Sequence, residues 1–190
     1  AAGGVGTILI QLAKLKGAEV FAKVGQKDKE QYARDLGADH VVNYRNSDYS
    51  EQLKSILQGA RIDVSYNPVA GSTYKKDVAL LGSGGRMVLF GGSELANGKM
   101  GIFSKLNFVR KMGLITPIVL MMRSKSVLGV NMLKIADNKP KVLEICLHAI
   151  VNLYVEGKIK PQVGGSYSSD QMAEAHTALE SGKTTEKLGV

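Results

Sequence analysis

The chain has 190 residues, 44% of them hydrophobic, with 22 glycines, one cysteine and a formal net charge of +8. This length holds one full core with a short appendage and excludes two complete domains, while a single thiol excludes an intramolecular disulfide and any metal site built from several thiolates. The basic residues are scattered among acids, as in Lys27-Asp28-Lys29-Glu30, with no interleaved aromatics, so the charge reads as solvated surface and not as a specific nucleic-acid groove.

In chain order, a helix is expected from about Val5 to Lys16, with Ile8, Leu9, Leu12 and Leu15 on one face and Gly17 closing it. A strand Glu19–Val24 follows, broken by Gly25, then a helix Asp28–Leu36 stopped by Gly37 and a short strand His40–Tyr44. Next come a helix Ser50–Leu57 capped by Ser50, a buried strand Ile62–Tyr66, a helix Tyr74–Leu81 and a second buried strand Gly85–Phe90. The pattern loosens through Leu106–Met122, where the longest apolar-leaning run, Leu114–Met122, is interrupted by Thr116 and Pro117 and is too short to span a membrane. It recovers at a strand Ser126–Val130 and a long helix from Lys139 to Glu156, whose apolar spacing predicts that Cys146 is a buried core thiol. A strand, a helix Ser169–Glu180 and a terminal strand complete the chain. Alternating helices and short apolar strands predict an α/β fold of the doubly wound, Rossmann type, with a parallel sheet and ligands at the strands' carboxyl ends.

Three motifs carry chemistry. In Ala1-Ala2-Gly3-Gly4-Val5-Gly6 the glycines permit a tight turn at a helix amino end, where backbone N–H groups meet a pyrophosphate, although the usual third small residue falls at Leu9 and the strand before the motif lies outside the sequence. At the end of the next strand, Lys23-Val24-Gly25-Gln26-Lys27-Asp28-Lys29 offers no acid to a ribose 2′-hydroxyl. Lys27 and Lys29 suit a 2′-phosphate instead, with Tyr44 and Arg45 at the neighbouring strand tip, which predicts NADPH over NADH. The turns Asn67-Pro68-Val69-Ala70-Gly71 and Phe90-Gly91-Gly92-Ser93 each follow a buried strand on the expected ligand edge. The histidines His40, His148 and His176 have no metal-site spacing, and no nucleophile turn of the Gly-x-Ser-x-Gly type is present, so no catalytic residue and no metal ligand is assigned.

Ala1 to Gly6, Gln11-Leu12-Ala13-Lys14, Leu36-Gly37-Ala38-Asp39, Val42-Asn43-Tyr44-Arg45, Asn67 to Gly71 and Gly157-Lys158-Ile159-Lys160-Pro161 together resemble the medium-chain dehydrogenase/reductase superfamily, in its quinone oxidoreductase, zeta-crystallin-like branch. The stretch Glu94–Lys125 with Ser126 to Asn131 resembles the subgroup of the synaptic vesicle amine transport protein. The resemblance implies that Gly3, Gly4, Val5 and Gly6 cradle the pyrophosphate, that Lys29 and Tyr44, beside Gly25, hold the 2′-phosphate, and that Asn67, Phe90 and Gly91 lie at the nicotinamide end. The family commonly carries an acid where Asn67 stands. It further implies zinc-independent hydride transfer from NADPH to a quinone or an activated alkene or carbonyl, a homodimer, and a cytoplasmic protein. The family domain plan assigns residues 1–156 to an NADPH-binding domain and 157–190 to a segment returning to a catalytic lobe encoded upstream. The alternative is a non-catalytic NADPH-binding scaffold or sensor in membrane traffic.

Overall fold

A computed structural model describes residues 1–92, 102–113, 116–161, 163–180 and 187–189. The amino-terminal elements are α1 (Gly4–Leu15), β1 (Phe21–Val24), α2 (Asp28–Asp35), β2 (His40–Asn43) and α3 (Tyr49–Leu57). They are followed by β3 (Ile62–Asn67), α4 (Gly71–Leu80), β4 (Leu81–Leu89), α5 (Ile102–Met112), α6 (Pro117–Met122) and β5 (Ser126–Gly129). The carboxyl-terminal elements are α7 (Met132–Asn138), α8 (Pro140–Val155), β6 (Val163–Ser166), a 3₁₀ turn (Ser169–Gln171), α9 (Met172–Glu180) and β7 (Lys187–Gly189). The expected strand Glu19–Val24 is thus shorter at its start, and the Glu94–Ser93 border of the loosened stretch, 93–101, lies outside the described residues.

Every strand pairing is parallel: β1 with β2, β3 with β4 and β4 with β5, and β6 with β7. Parallel neighbours need crossovers, and α2 and α4 supply them after β1 and β3. This is the α/β, Rossmann-type architecture that the alternating pattern predicts. Two compact units divide the chain, residues 1–52 with 144–190 and residues 53–143.

In the first unit the core is built from small side chains. Ala22 and Val24 of β1, Ala33 of α2, Ala38, Ile10 of α1 and Ala2 are all buried, with Val20, Tyr32, Leu36 and Val41 packed around them. Alanine at positions 22 and 33 lets helix and strand approach closely, since neither side chain extends beyond Cβ. Asp39 joins the edges of this layer: its Oδ2 accepts from the Val20 N–H at 2.7 Å and its carboxylate meets Lys14 Nζ at 2.8 Å. At the other end of the sequence Gln11 extends an amide to the backbone of Lys160, accepting from its N–H at 2.7 Å and donating to its carbonyl at 3.2 Å. That pair of bonds copies one rung of a β-ladder and docks the segment around Ile159, itself fully buried, onto α1.

In the second unit Tyr74 of α4 and Leu81 and Met87 of β4 form the buried centre, with Ile62, Val78, Leu89, Met112 and Val127 against it. The regular register of β4 runs from Arg86 to Leu89, opposite Val64–Asn67 on one side and Ser126–Gly129 on the other. The residues Gly82–Gly85 form an irregularity before it, which is why the expected strand started at Gly85.

Two expectations are corrected. Ser50 lies inside α3; the capping oxygen belongs to Asp48, whose Oδ1 accepts from the Ser50 N–H at 2.8 Å and the Ser50 hydroxyl at 2.6 Å. An ionised carboxylate is the stronger acceptor for the free N–H groups of a first turn, and it sits one residue before the helix. Cys146 is exposed, not buried. Apolar residues surround α8, but only Ile150 and Leu153 are half-buried in its later turns, and Cys146 projects from a different face.

Candidate cofactor-binding site

The glycine turn leads directly into α1. Gly3 is the N-cap in extended conformation, no side chain caps the helix, and the first turn holds no acid. The free N–H groups of that turn therefore keep their positive end for a ligand, the arrangement that favours a phosphate. Thr7 secures the turn from within, donating from its N–H to the Gly3 carbonyl at 3.0 Å and from its hydroxyl to the Gly4 carbonyl at 2.9 Å. A Cβ on Gly6 would overlap the carbonyl oxygen of Ala1, so this close packing of turn and helix admits only glycine. Val5 is exposed at 57% and Gly3 and Gly4 are exposed, leaving the turn open to a ligand.

In the same unit, β1 and β2 end side by side, with Val24 opposite Asn43 and the Tyr44 N–H donating to the Val24 carbonyl at 3.0 Å. Tyr44 continues outward, 54% exposed, over Gly25. Lys29, in the first turn of α2, is buried to 9% exposure, whereas Lys27 and Arg45 are exposed. Asn43 braces this edge, donating from Nδ2 to Glu30 Oε1 at 2.9 Å and accepting the Arg45 N–H on Oδ1 at 3.0 Å. Glu30 is thereby committed to Asn43, and Gly25, Gln26 and Lys27 at the tip of β1 carry no carboxylate.

In the second unit, the tips of β3 and β4 are neighbours, the Phe90 N–H donating to the Asn67 carbonyl at 3.3 Å. Asn67 is fully buried and its amide is committed within the turn that follows it. Oδ1 accepts from the N–H groups of Val69 at 2.9 Å and Ala70 at 2.8 Å, and Nδ2 donates to Thr73 Oγ1 at 2.8 Å and Asp77 Oδ2 at 2.7 Å. Ala70 caps α4 at φ 58°, ψ −138°, a region that residues with a Cβ rarely occupy. Gly91 is exposed against this turn, where a Cβ would stand 2.7 Å from the Pro68 carbonyl oxygen.

The sequence had singled out Asn67, Phe90 and Gly91 but not Thr73, Asp77 or Ser65, which complete the buried hub. Their signal was spacing: Thr73 and Asp77 are four apart on one face of α4, and Ser65 and Asn67 are two apart on one face of β3. The expected helix start at Tyr74 hid the first pair. Apart from these sites, a shallow cleft of about 360 Å³ lies near the far end of α1, lined by Gln11, Lys14, Leu15, Leu36 and Lys158 among others, away from the glycine turn. Among the described residues no group of three or more His, Cys, Asp or Glu stands together as a metal site, so these residues do not fit a zinc ion. No described helix is long and apolar enough to cross a membrane.

A glycine turn opening a helix, followed by parallel strands joined through helices, defines a nucleotide-binding domain of the Rossmann type. The sequence model of the zinc-binding dehydrogenase family matches residues 4–147, and the chain belongs to that family. It is 27% identical over 176 residues to a synaptic vesicle membrane protein VAT-1 homolog of Danio rerio, covering 92% of this chain and 36% of that protein. Among solved structures it is similar to Escherichia coli quinone oxidoreductase complexed with NADPH, with a TM-score of 0.74 and 28% identity, over 98% of this chain and 53% of that one. An NAD-dependent alcohol dehydrogenase gives a TM-score of 0.76 and 28% identity, over 99% of this chain and 48% of that one. The chain thus spans about half of each solved relative or less of the curated one. These likenesses agree with the quinone oxidoreductase branch that the sequence motifs resemble.

Proposed function

We propose that this chain is the NADPH-holding part of an oxidoreductase that passes hydride to a small electrophile, a quinone or an activated alkene or carbonyl. The observation that carries the reading is the edge formed by β1 and β2, where Lys29 is buried beside a strand tip free of carboxylates and Tyr44 covers Gly25. A site for NAD would place an acid there to accept from the ribose 2′-hydroxyl, whereas a cation and a phenol suit a 2′-phosphate. The solved quinone oxidoreductase relative is a complex with NADPH, which favours the same cofactor.

In this reading Gly3, Gly4, Val5 and Gly6 present backbone N–H groups to the pyrophosphate, and Gly25, Lys29 and Tyr44 hold the 2′-phosphate. The turn organised by Asn67, with Phe90 and Gly91, offers backbone at the nicotinamide end; the Asn67 side chain acts by shaping that turn, since its polar atoms are already used. Bound NADPH supplies the hydride. The protein's part is to hold the nicotinamide and keep water away, and no side chain of this chain serves as general acid or base. Residues 1–156 form the cofactor domain, and 157–190 return toward a substrate-binding lobe. The working protein is a cytoplasmic homodimer paired through β5, whose described partner is β4 on one side.

Single-turnover oxidation of bound NADPH by a panel of quinones and enones, in the intact protein, tests the activity. Oxidation by any of them supports hydride transfer. Binding without oxidation favours a second reading, a non-catalytic NADPH-dependent scaffold or sensor, to which the likeness over 92% of the chain to a protein named for the synaptic vesicle membrane points.

A further inference from the structure

We propose that Asp77 is a positioning residue for the nicotinamide end of the cofactor site: its buried carboxylate decides which way the Asn67 amide faces and, through that amide, holds the turn after β3. The inference rests on the cofactor reading above and extends it to a residue that touches no cofactor.

An amide has two unlike ends, and at Asn67 each end meets a matching set. Nδ2 faces two oxygens, Asp77 Oδ2 at 2.7 Å and Thr73 Oγ1 at 2.8 Å, while Oδ1 faces two backbone donors, the N–H groups of Val69 and Ala70. Turned over, the amide would set its NH₂ against two N–H groups and its oxygen against a carboxylate. Thr73 cannot choose between the two orientations, because a hydroxyl both donates and accepts; an ionised carboxylate only accepts. Asp77 is 3% exposed, so water offers its oxygens little alternative, and the Ser65 hydroxyl at 3.2 Å is its other described donor.

The orientation has consequences along the backbone. With Oδ1 on the N–H groups of Val69 and Ala70, Ala70 is kept at φ 58°, a conformation alanine leaves when nothing restrains it. Pro68 of the same turn lies against Gly91, so the turn and the end of β4 move together. A carboxylate one helical turn inside α4 thereby sets the backbone offered to the nicotinamide.

The experiment compares the chain as given with Asn67→Asp, Asp77→Asn and the double variant Asn67→Asp/Asp77→Asn. Each is titrated with NADPH and with 2′,5′-ADP, which carries the 2′-phosphate but no nicotinamide. In Asn67→Asp two carboxylates face each other across the 2.7 Å contact; NADPH affinity falls about tenfold, and 2′,5′-ADP affinity stays as it was. The double variant puts the acceptor on residue 67 and the donor on residue 77, restores the matching and returns NADPH affinity to within about twofold. Should Asn67→Asp fail to fold, Asp77→Asn carries the test alone: it keeps an oxygen for Asn67 but no longer imposes one orientation, and a loss of several-fold is expected for NADPH only.

NADPH binding by Asn67→Asp equal to that of the parent overturns the role of Asp77, as does a double variant no better than the single one. An equal loss for NADPH and 2′,5′-ADP marks a general effect on folding and also overturns it. A parent chain that binds neither ligand removes the cofactor reading itself, and this role with it. A parent that binds both, with variants that hold NADPH alike, removes only the role of Asp77.

Discussion

Gly25 and Tyr44 meet at the tips of β1 and β2 so closely that a Cβ on Gly25 would overlap the tyrosine hydroxyl and stand 2.5 Å from its Cζ. Tyr44 is half exposed, so the ring has room to swing away at little cost to the fold. Gly25→Ala is therefore expected to change stability by less than about 1 kcal/mol, the range of substitutions at open surfaces. The displaced ring leaves the 2′-phosphate edge, and NADPH affinity falls about tenfold while NADH affinity changes little. Parallel titrations with the two cofactors check the split.

Ala70 offers a test of strain. A residue with a Cβ at φ 58°, ψ −138° costs about 1–3 kcal/mol. Glycine occupies that region freely, so Ala70→Gly is expected to stabilise the chain by about 1 kcal/mol after the greater entropy of the unfolded glycine is deducted. For a chain of this size the thermal midpoint rises by about 2–4 °C. Differential scanning calorimetry reads it directly, and a lower midpoint would mean that the turn carries no strain.

Asp39 gives a pH dependence of known sign. The hydrogen bond from Lys14 lowers its pKa below the usual carboxylate value, helped by the Val20 N–H. A folded pKa lower than the unfolded one means the carboxylate stabilises the fold above the unfolded pKa, and the contribution is lost as pH falls through the folded value. Asp39→Asn is accordingly expected to be less stable than the parent at neutral pH, with the gap closing in acid below the ordinary aspartate range. Denaturant unfolding across pH 7 to 3 measures it.

Gln11 docks the segment around Ile159 through two bonds to Lys160. Gln11→Ala removes both and leaves the Lys160 N–H to water, a loss of about 1–2 kcal/mol felt mainly in local opening. Amide hydrogen exchange at Lys160 is expected to quicken about tenfold, with β1 and β2 unaffected.

Much of this was legible in the sequence because local signals coincide with local structure. Gly17 and Gly37 were read as helix stops, and both adopt positive φ. The alternation of apolar runs located β1 to β5 to within a few residues, and the glycine turn was found through its place at the start of α1. What escaped was held by contacts between elements. Nothing in the propensity of Ala70 announces a left-handed helix cap, because Asn67, three residues earlier, imposes it. Asp48 outbid Ser50 as the cap of α3 since the charged oxygen accepts two bonds at once. Cys146 sits in an apolar helix whose described faces are mostly exposed, and periodicity alone does not say which apolar face is covered. The site residues divide likewise: Lys29, Tyr44 and the glycines follow from motif spacing, whereas Asp77 is visible only once α4 is seen to start at Gly71.

The most direct test of the cofactor reading is a fluorescence titration of the chain with NADPH and NADH, repeated on Lys29→Ala. The account predicts that the parent prefers NADPH by at least tenfold, and that the variant loses this preference by weakening NADPH while leaving NADH where it was. Equal binding of the two cofactors by the parent, or an unchanged preference in Lys29→Ala, would contradict it.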